Sequence, residues 1–386
     1  MTIVVLAALS VWLLWPKSAR PTIHAVRQAP ATSTVQVQPE GLTSRLLFVG
    51  DVMWGRSIQT HAKSSGLDYQ YPTSGLTRTD RNAYDAWIAN FECPVTTKDV
   101  PYSLQVDILK FNCRPEFLAN LATWFTAVSQ ANNHTMNVDG QWGIEQGRQN
   151  FEKAGIQYFG NYDMNKLDDI CEVITIPATT TKTHKQVSLP VALCGYMYVV
   201  DVAPTEEQLA VMQKYAKVMP VIAMPHMGVE FRPTAEPQKQ SAYRQMIDNG
   251  ADAVIGAHPH VIQNSETYKG RLIAYSLGNF LFDQQSLGRE TTLGLGVGIQ
   301  LSIDNDKAAR IYEQLAPTCK AFRDDCVTKL AARLPARPHI GVRYTFTCYD
   351  ESRAVGSVPR LGSKQVCDQA RRAATINKLN GLSEQW

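Results

Sequence analysis

Leu46-Leu47-Phe48-Val49-Gly50-Asp51 sets four apolar residues against a glycine and a carboxylate. A short apolar run bounded by a turn residue reads as a buried strand, with the acid at its C-terminal end. The same arrangement recurs along the chain. Asp85-Ala-Trp-Ile-Ala89 leads to Asn90-Phe-Glu92, and Thr126-Ala-Val-Ser129 leads to Asn132-Asn133-His134. Val221-Ile-Ala-Met224 leads to His226, Ala253-Val-Ile-Gly256 to His258-Pro-His260, and Leu272-Ile-Ala-Tyr-Ser276 to Leu-Gly-Asn279. Helical patterns lie between them, over Pro115–Trp124, Gly140–Ala154, Thr205–Val218 and Pro237–Asn249. Gly155 and Gly250 follow two of these helices as C-cap signals. Strand–helix alternation of this kind predicts an α/β layered fold with helices on both sheet faces. Leu293–Ile303 reads as a further strand carrying glycines. Residues 304–386 are richer in Arg, Lys and Cys, show little periodicity and are expected as a C-terminal extension.

The chain has 386 residues, 44% of them hydrophobic, enough for one large α/β domain or a core domain plus an appendage. A formal charge of +3 and the lack of a Lys/Arg block with interleaved aromatics argue against a nucleic-acid partner. Thr2–Trp15 is an uncharged apolar run ending at Pro16-Lys17. It is short for a membrane span and suits a signal-peptide core, yet no positive residue precedes it. Ala29-Pro30-Ala31 matches a cleavage pattern but lies far from the run. The favoured expectation is an uncleaved membrane anchor over residues 1–16, then a tether over 17–42 rich in Pro, Ala, Thr, Ser and Gln. A main domain over 43–303 and the extension over 304–386 complete the division. None of the eight cysteines forms a C-x-x-C pair, which argues against a thiolate zinc site. With export, two disulfides pinning the tail are expected; spacing leaves their connectivity open.

Asp51, Glu92, Asn133, His226, His258 and His260 all stand just after strand-like runs. Ligands mounted on rigid strand ends converge without loop entropy. Four of the eight histidines fall in these pieces. A single histidine is more often structural than a ligand, but the set points to one metal site. Carboxylate, amide oxygen and neutral imidazole form a mixed O/N ligand set that suits Zn, Mn or Fe(II) better than Ca or Mg. One or two such ions activate water and clamp a tetrahedral transition state. An uncoordinated His134 is then placed to protonate a leaving group.

Gly50-Asp51-Val-Met-Trp-Gly-Arg56, Asn90-Phe-Glu92-Cys-Pro94, Phe111-Asn-Cys-Arg114-Pro115, Ala131-Asn-Asn133-His134, His226-Met-Gly-Val-Glu230, Gly256-Ala-His258-Pro-His260 and Tyr275-Ser-Leu-Gly278-Asn279-Phe280 follow one another in this order. The series resembles the CapA family of poly-γ-glutamate capsule proteins, from about Leu46 to Asp283. That family is similar in turn to the calcineurin-like metallophosphoesterases. The resemblance implies a four-layer α/β/β/α sandwich, here with a Cys-containing C-terminal extension. It implies that Asp51 and His260 hold one metal and that Asn133, His226 and His258 hold a second. Glu92 takes the bridging-carboxylate position and His134 that of the proton donor. Two departures from the phosphoesterase pattern stand out. Met53 replaces the histidine of the opening Asp-x-His, and Glu92 replaces a bridging Asp. The first metal is therefore expected to bind weakly or not at all.

Arg56, Arg114, Glu230 and Asn279 lie beside these motifs as candidate substrate-binding residues. Arg56 and Arg114 either clamp a carboxylate of an anionic polymer or pair with Glu116, Glu230 or Asp283 around the site. Asn279 is expected to support the site from behind. The first functional expectation joins the capsule role that the resemblance implies, making, exporting or anchoring poly-γ-glutamate, to the membrane-anchored, extracytoplasmic placement suggested by Thr2–Trp15, the tether and the even cysteine count. A metal-dependent, hydrolase-like centre would act on the polymer or its carrier, and capsule synthase membrane subunits are the expected partners. A secreted metallophosphoesterase and a non-catalytic polymer- or partner-binding protein are the alternatives.

Overall fold

A computed structural model of the chain describes residues 40–386, except 164, 200–202, 322, 352–357, 380–383 and 386. Pro39–Trp386 form one compact unit. The strands in chain order are β1 (Leu42–Val52), β2 (Ala86–Phe91), β3 (Ala127–Ser129), β4 (Gln157–Phe159), β5 (Cys171–Thr180), β6 (Gln186–Val199), β7 (Val221–Gly228), β8 (Ala253–Ile255), β9 (Ser265–Tyr268), β10 (Arg271–Ala274), β11 (Asn279–Leu281), β12 (Leu293–Ile303), β13 (Gly341–Asp350) and β14 (Arg360–Leu361). The helices are α1 (Arg56–Ser65), α2 (Tyr102–Asp107), α3 (Leu118–Leu121), α4 (Gln141–Ala154), α5 (Glu206–Ala216), α6 (Pro237–Asp248), α7 (Asp306–Ala321), α8 (Arg323–Arg333) and α9 (Lys364–Ala373).

β1 is the strand shared by two sheets. Parallel β2, β3 and β4 extend from one side of it, and antiparallel β12 and β13 from the other. Its first two residues pair with β5, which opens the second sheet, β5–β6–β7–β8–β10–β9. Because side chains alternate along a strand, the unbroken run Leu46–Val49 serves two cores at once. Leu46 and Phe48 join the cluster with α5, α6, α7 and the second sheet, while Leu47 and Val49 join the cluster under α1, α3 and α4. This gives the helix–sheet–sheet–helix sandwich expected from the sequence.

α4, α5 and α6 match the expected helices within a few residues, and Gly155 closes α4 in the left-handed conformation with φ 78°. Pro115–Trp124 does not form one helix. Pro115–Phe117 is a 3-10 turn and only Leu118–Leu121 is α-helical. The hairpin β5–β6 was not anticipated. Residues 304–386 are more regular than their sequence suggests: β13 pairs with β12 along its whole length, and Tyr312, Leu330 and Ala370 are buried in the core. The disulfides are Cys93–Cys113, Cys171–Cys194, Cys319–Cys326 and Cys348–Cys367, so two of them do fall in the tail. No helix among the described residues is long and apolar enough to cross a membrane. The anchor expected at Thr2–Trp15 lies outside the described residues.

Candidate metal centre

The parallel strands β1, β2, β3, β7 and β8 all bring their C-terminal ends to one place, where ligands gather in open α/β sheets. Asp51 sits inside the end of β1, Glu92 follows β2, Asn133 and His134 follow β3, His226 lies in β7 and His258 follows β8. Gly50 makes the placement of Asp51 possible. A Cβ there would stand 1.8 Å from the Gly278 carbonyl, which accepts the Asp51 N–H at 3.0 Å. The turn after β8 holds His258 at φ 97° and His260 at φ 57°. Such left-handed backbone at non-glycine residues is costly and clusters at functional sites.

The six expected ligands converge. One carboxylate oxygen, Glu92 Oε1, lies 3.6 Å from His260 Nε2, 3.7 Å from His226 Nε2 and 3.9 Å from His134 Nε2. It is buried and has no hydrogen-bond partner. His226 Nε2 also stands 2.8 Å from Asn133 Oδ1 and 3.0 Å from His258 Nδ1. Asp51 Oδ2 lies 3.3 Å from His260 Nδ1. Two overlapping donor groups result, Glu92 with His226 and His258, and Asp51 with Glu92 and His260. A buried, unpaired carboxylate oxygen among imidazole nitrogens is costly without a cation. The donor chemistry therefore fits a divalent metal.

The electrostatics agree. Burial pulls His226 and His258 well below the usual histidine range, keeping both neutral as ligands must be. Burial also pushes Glu92 well above the carboxylate range, against the lowering influence of His260. Burial alone would lower His260, but the Glu92 charge and the Asp51 hydrogen bond outweigh it and raise the ring to about 9. Without metal, Glu92 and His260 thus titrate as one pair and hold a proton between them where a cation would stand.

His134 stacks on Phe111 with ring centroids 4.1 Å apart. Its Nδ1 lies 2.8 Å from Asn137 Oδ1, which also accepts the Phe111 N–H at 3.0 Å. That oxygen is an acceptor twice over, so His134 Nδ1 is a donor and the neutral ring turns the Nε2 lone pair to the site. Burial lowers His134 to about 4. The Met53 sulfur accepts the Gly55 N–H at 3.0 Å, so it is turned to the backbone.

The candidate clamps are already engaged. Arg56 grips Asp283 through Nε at 2.8 Å and through a second bond from Nη2, and lies over the Phe111 ring. Arg114 forks onto Glu116 at 2.7 and 3.2 Å and donates to the Thr97 carbonyl. Glu230 is exposed, with its charge felt by Glu92 and His260. Asn279 is fully buried and binds His260, Gln284 and the Thr291 carbonyl.

Three supporting residues escaped the sequence reading. Asn90 donates to Asp51 Oδ1 at 2.8 Å and accepts from Asn132 at 3.1 Å, fixing the carboxylate from behind. Its place two residues before Glu92 on one strand face was the available signal. Lys239, drawn down to about 7 by burial, donates to Gln263 beneath the site. Glu351, from the tail, is fully buried, and burial pushes its carboxyl well up, with Asp283, Asp350 and Asp51 adding to the rise. Nothing in the sequence pointed to either.

Residues 45–284 match the family model described as bacterial capsule synthesis protein PGA_cap. The PGA biosynthesis protein CapA of Bacillus subtilis (strain 168) is 28% identical over 247 residues, which cover 61% of this chain and 63% of that protein. The capsule biosynthesis protein CapA of Bacillus anthracis is 28% identical over 262 residues, 62% of this chain and 60% of that protein. The chain thus spans about six-tenths of the length of these curated relatives. Among solved structures, the crystal structure of TT1561 of Thermus thermophilus matches at 9% identity with a TM-score of 0.34, covering 66% of this chain and 93% of that one.

Proposed function

The chain belongs to the bacterial capsule synthesis family PGA_cap, and from that membership we propose that it serves the making, export or anchoring of poly-γ-glutamate. In this reading Asp51, Glu92, Asn133, His226, His258 and His260 hold one or two Mn, Zn or Fe ions. The observation that carries the metal is the Glu92 Oε1 atom, buried, unpartnered and faced by three imidazole nitrogens within 3.9 Å. When bound, the metal supplies Lewis-acid activation of a water. The protein's own residues do the rest. Asn90 and Asn279 orient Asp51 and His260, and the burial of these side chains keeps bulk water from them. His134 would take the attacking water's proton at Nε2 and pass it to the leaving group.

The protein works outside the cytoplasm in this reading, held at the membrane by Thr2–Trp15 beside the capsule synthase membrane subunits. Four disulfides support that placement, because such bonds persist in oxidising compartments. Met53, turned to the Gly55 backbone, weighs against a full two-metal phosphoesterase centre. The test is elemental analysis of chelator-free protein, with turnover measured on poly-γ-glutamate and on a generic phosphodiester. Metal together with action on the polymer supports the reading. Efficient phosphodiester turnover without polymer binding at low salt replaces it by the phosphoesterase alternative.

A further inference from the structure

A cleft of about 720 Å³ adjoins the His260 side of the centre, within the size range of small-ligand sites. Its lining is mostly apolar. Val261, Ile262 and Leu293 are buried, and Phe231 and Leu287 are 43% and 59% exposed. Three relations tie the cleft to the centre. Val261 directly follows His260, and the Phe231 ring centroid lies 6.2 Å from that of His260. The Thr291 carbonyl accepts from Asn279, whose oxygen meets the His260 ring. Phe231 is held there at φ 60°, with its N–H donating to the Pro259 carbonyl at 2.8 Å. An exposed aromatic kept in left-handed backbone beside a candidate ligand is strain of the kind that collects at functional sites.

Two opposite charges also line this cleft, Glu290 and Arg372. Both are exposed, and neither side chain makes a hydrogen bond or ion pair among the described residues. Asp368, one turn before Arg372, feels its charge but pairs with Lys364. Leu287, Glu290 and Arg372 lie beyond the family match at 45–284, so that match does not assign them. A groove for a run of carboxylates would need cations alone, because Glu290 would repel each carboxylate desolvated beside it. One cation and one anion over apolar side chains suit a ligand that carries both charges close together. In a γ-linked glutamate chain only the amino-terminal residue does so, with its ammonium and carboxylate on one carbon. Internal residues carry a carboxylate beside a neutral amide, and the carboxyl end carries two carboxylates.

We propose that this cleft binds the amino end of a poly-γ-glutamate chain. Arg372 takes the α-carboxylate, Glu290 takes the α-ammonium, and Phe231 and Leu287 cover the methylenes. This assignment rests on the polymer reading above and specifies which end of the chain lies beside the metal centre.

The test is calorimetric titration of the full chain in detergent with γ-linked tetraglutamate at low salt. Binding is expected, and acetylating the amino end or using the α-linked peptide should weaken it about tenfold or more, since either breaks up the ammonium–carboxylate pair. Arg372→Gln and Glu290→Gln should each weaken it by a similar factor. Glu290→Gln should bind free and acetylated tetraglutamate equally, because the variant and the acetyl group remove the same contact. Both side chains are exposed, so metal content and melting temperature should stay unchanged. Tetraglutamate binding that neither variant affects overturns the cleft and leaves the polymer reading standing, as does polymer binding without tetraglutamate binding. Binding that Arg372→Gln weakens but acetylation does not overturns the choice of chain end. If neither tetraglutamate nor polymer binds, the cleft and the polymer reading fall together.

Discussion

The side-chain oxygen of Asn279 lies 2.9 Å from Nδ1 of His260, and nothing else about Asn279 is free to move. Its amide nitrogen donates to Gln284 and to the Thr291 carbonyl, which fixes the oxygen as an acceptor. His260 Nδ1 is thereby a donor and Nε2 is aimed at Glu92. Partners of this kind behind a ligand typically contribute 10–100-fold in metal affinity. Asn279→Ala is expected to weaken Mn or Zn binding by about that factor while the protein stays folded. Isothermal titration of the chelator-treated protein checks it, and unchanged affinity would remove Asn279 from the centre.

The metal-free protein should show an unusual dependence on pH. His260, raised to about 9, binds a proton more tightly folded than unfolded. Its contribution is fully present below the ordinary 6.5 and is lost as pH rises from there to about 9. One proton gives a slope of about 1.4 kcal/mol per pH unit. His134, lowered to about 4, acts in the opposite sense and costs stability as pH falls from 6.5 towards 4. Lys239, drawn down to about 7, opposes the His260 loss above pH 7 whether or not metal is bound, so the His260 contribution is read as the difference between denaturant melts without and with metal. With saturating metal the alkaline loss should vanish, because the ion replaces the His260 proton. Identical slopes with and without metal would contradict the assignment of His260 as a ligand.

The sequence revealed those parts of the molecule whose chemistry is local. Leu46–Val49, unbroken and apolar, announces a strand buried on both faces, and polar residues at successive strand ends announce the centre. The family resemblance supplied the sheet-on-sheet architecture. β5 and β6 escaped because they are long and mixed in polarity, with Pro177 and Pro190 inside them. The tail escaped because β13 is a strand only by pairing with β12, a non-local relation that no window of residues contains. Lys239 and Glu351 escaped for the same reason, since burial by distant elements makes them notable. The two arginines show the converse limit. Their motif positions were legible, but whether each fork faced a substrate or a neighbouring carboxylate was a question of three-dimensional partners.

Arg56 and Asp283 form a buried ion pair, with side chains 9% and 5% exposed. Asp283 also accepts the Ser57 N–H at 3.0 Å. Removing one partner of such a pair strands the other charge and costs about 3–5 kcal/mol. Arg56→Met is expected to destabilise by roughly that amount, and Arg56→Met/Asp283→Leu to recover part of it. If Arg56→Met instead leaves stability unchanged and weakens polymer binding, the arginine is a substrate clamp after all.

A C-terminal fusion tests location. A reporter active only after export, placed after Trp386, is expected to be active in the full chain and to lose activity when Thr2–Trp15 is deleted. Gel mobility with and without reductant should show four disulfides in protein recovered from the same cells. Full activity of a cytoplasm-only reporter at the same position, with reduced cysteines, overturns the placement.

His134 separates metal binding from chemistry. It follows Asn133, which reaches His226 Nε2, but its own Nε2 stands 3.9 Å from Glu92 Oε1 and its Nδ1 is held by Asn137. Stacking on Phe111 holds the ring plane, so the Nε2 lone pair stays turned to the site without joining the ligand set. A positioned acid or base contributes about 10²–10⁴-fold. His134→Ala should therefore keep its metal by elemental analysis and lose turnover by that factor. Asn137→Ala, which frees the ring to rotate and loosens control of the tautomer, should give a smaller loss at equal metal content and shift the pH profile of the rate. If His134→Ala comes off the column without metal, the residue is a ligand, and the proton must move by another route.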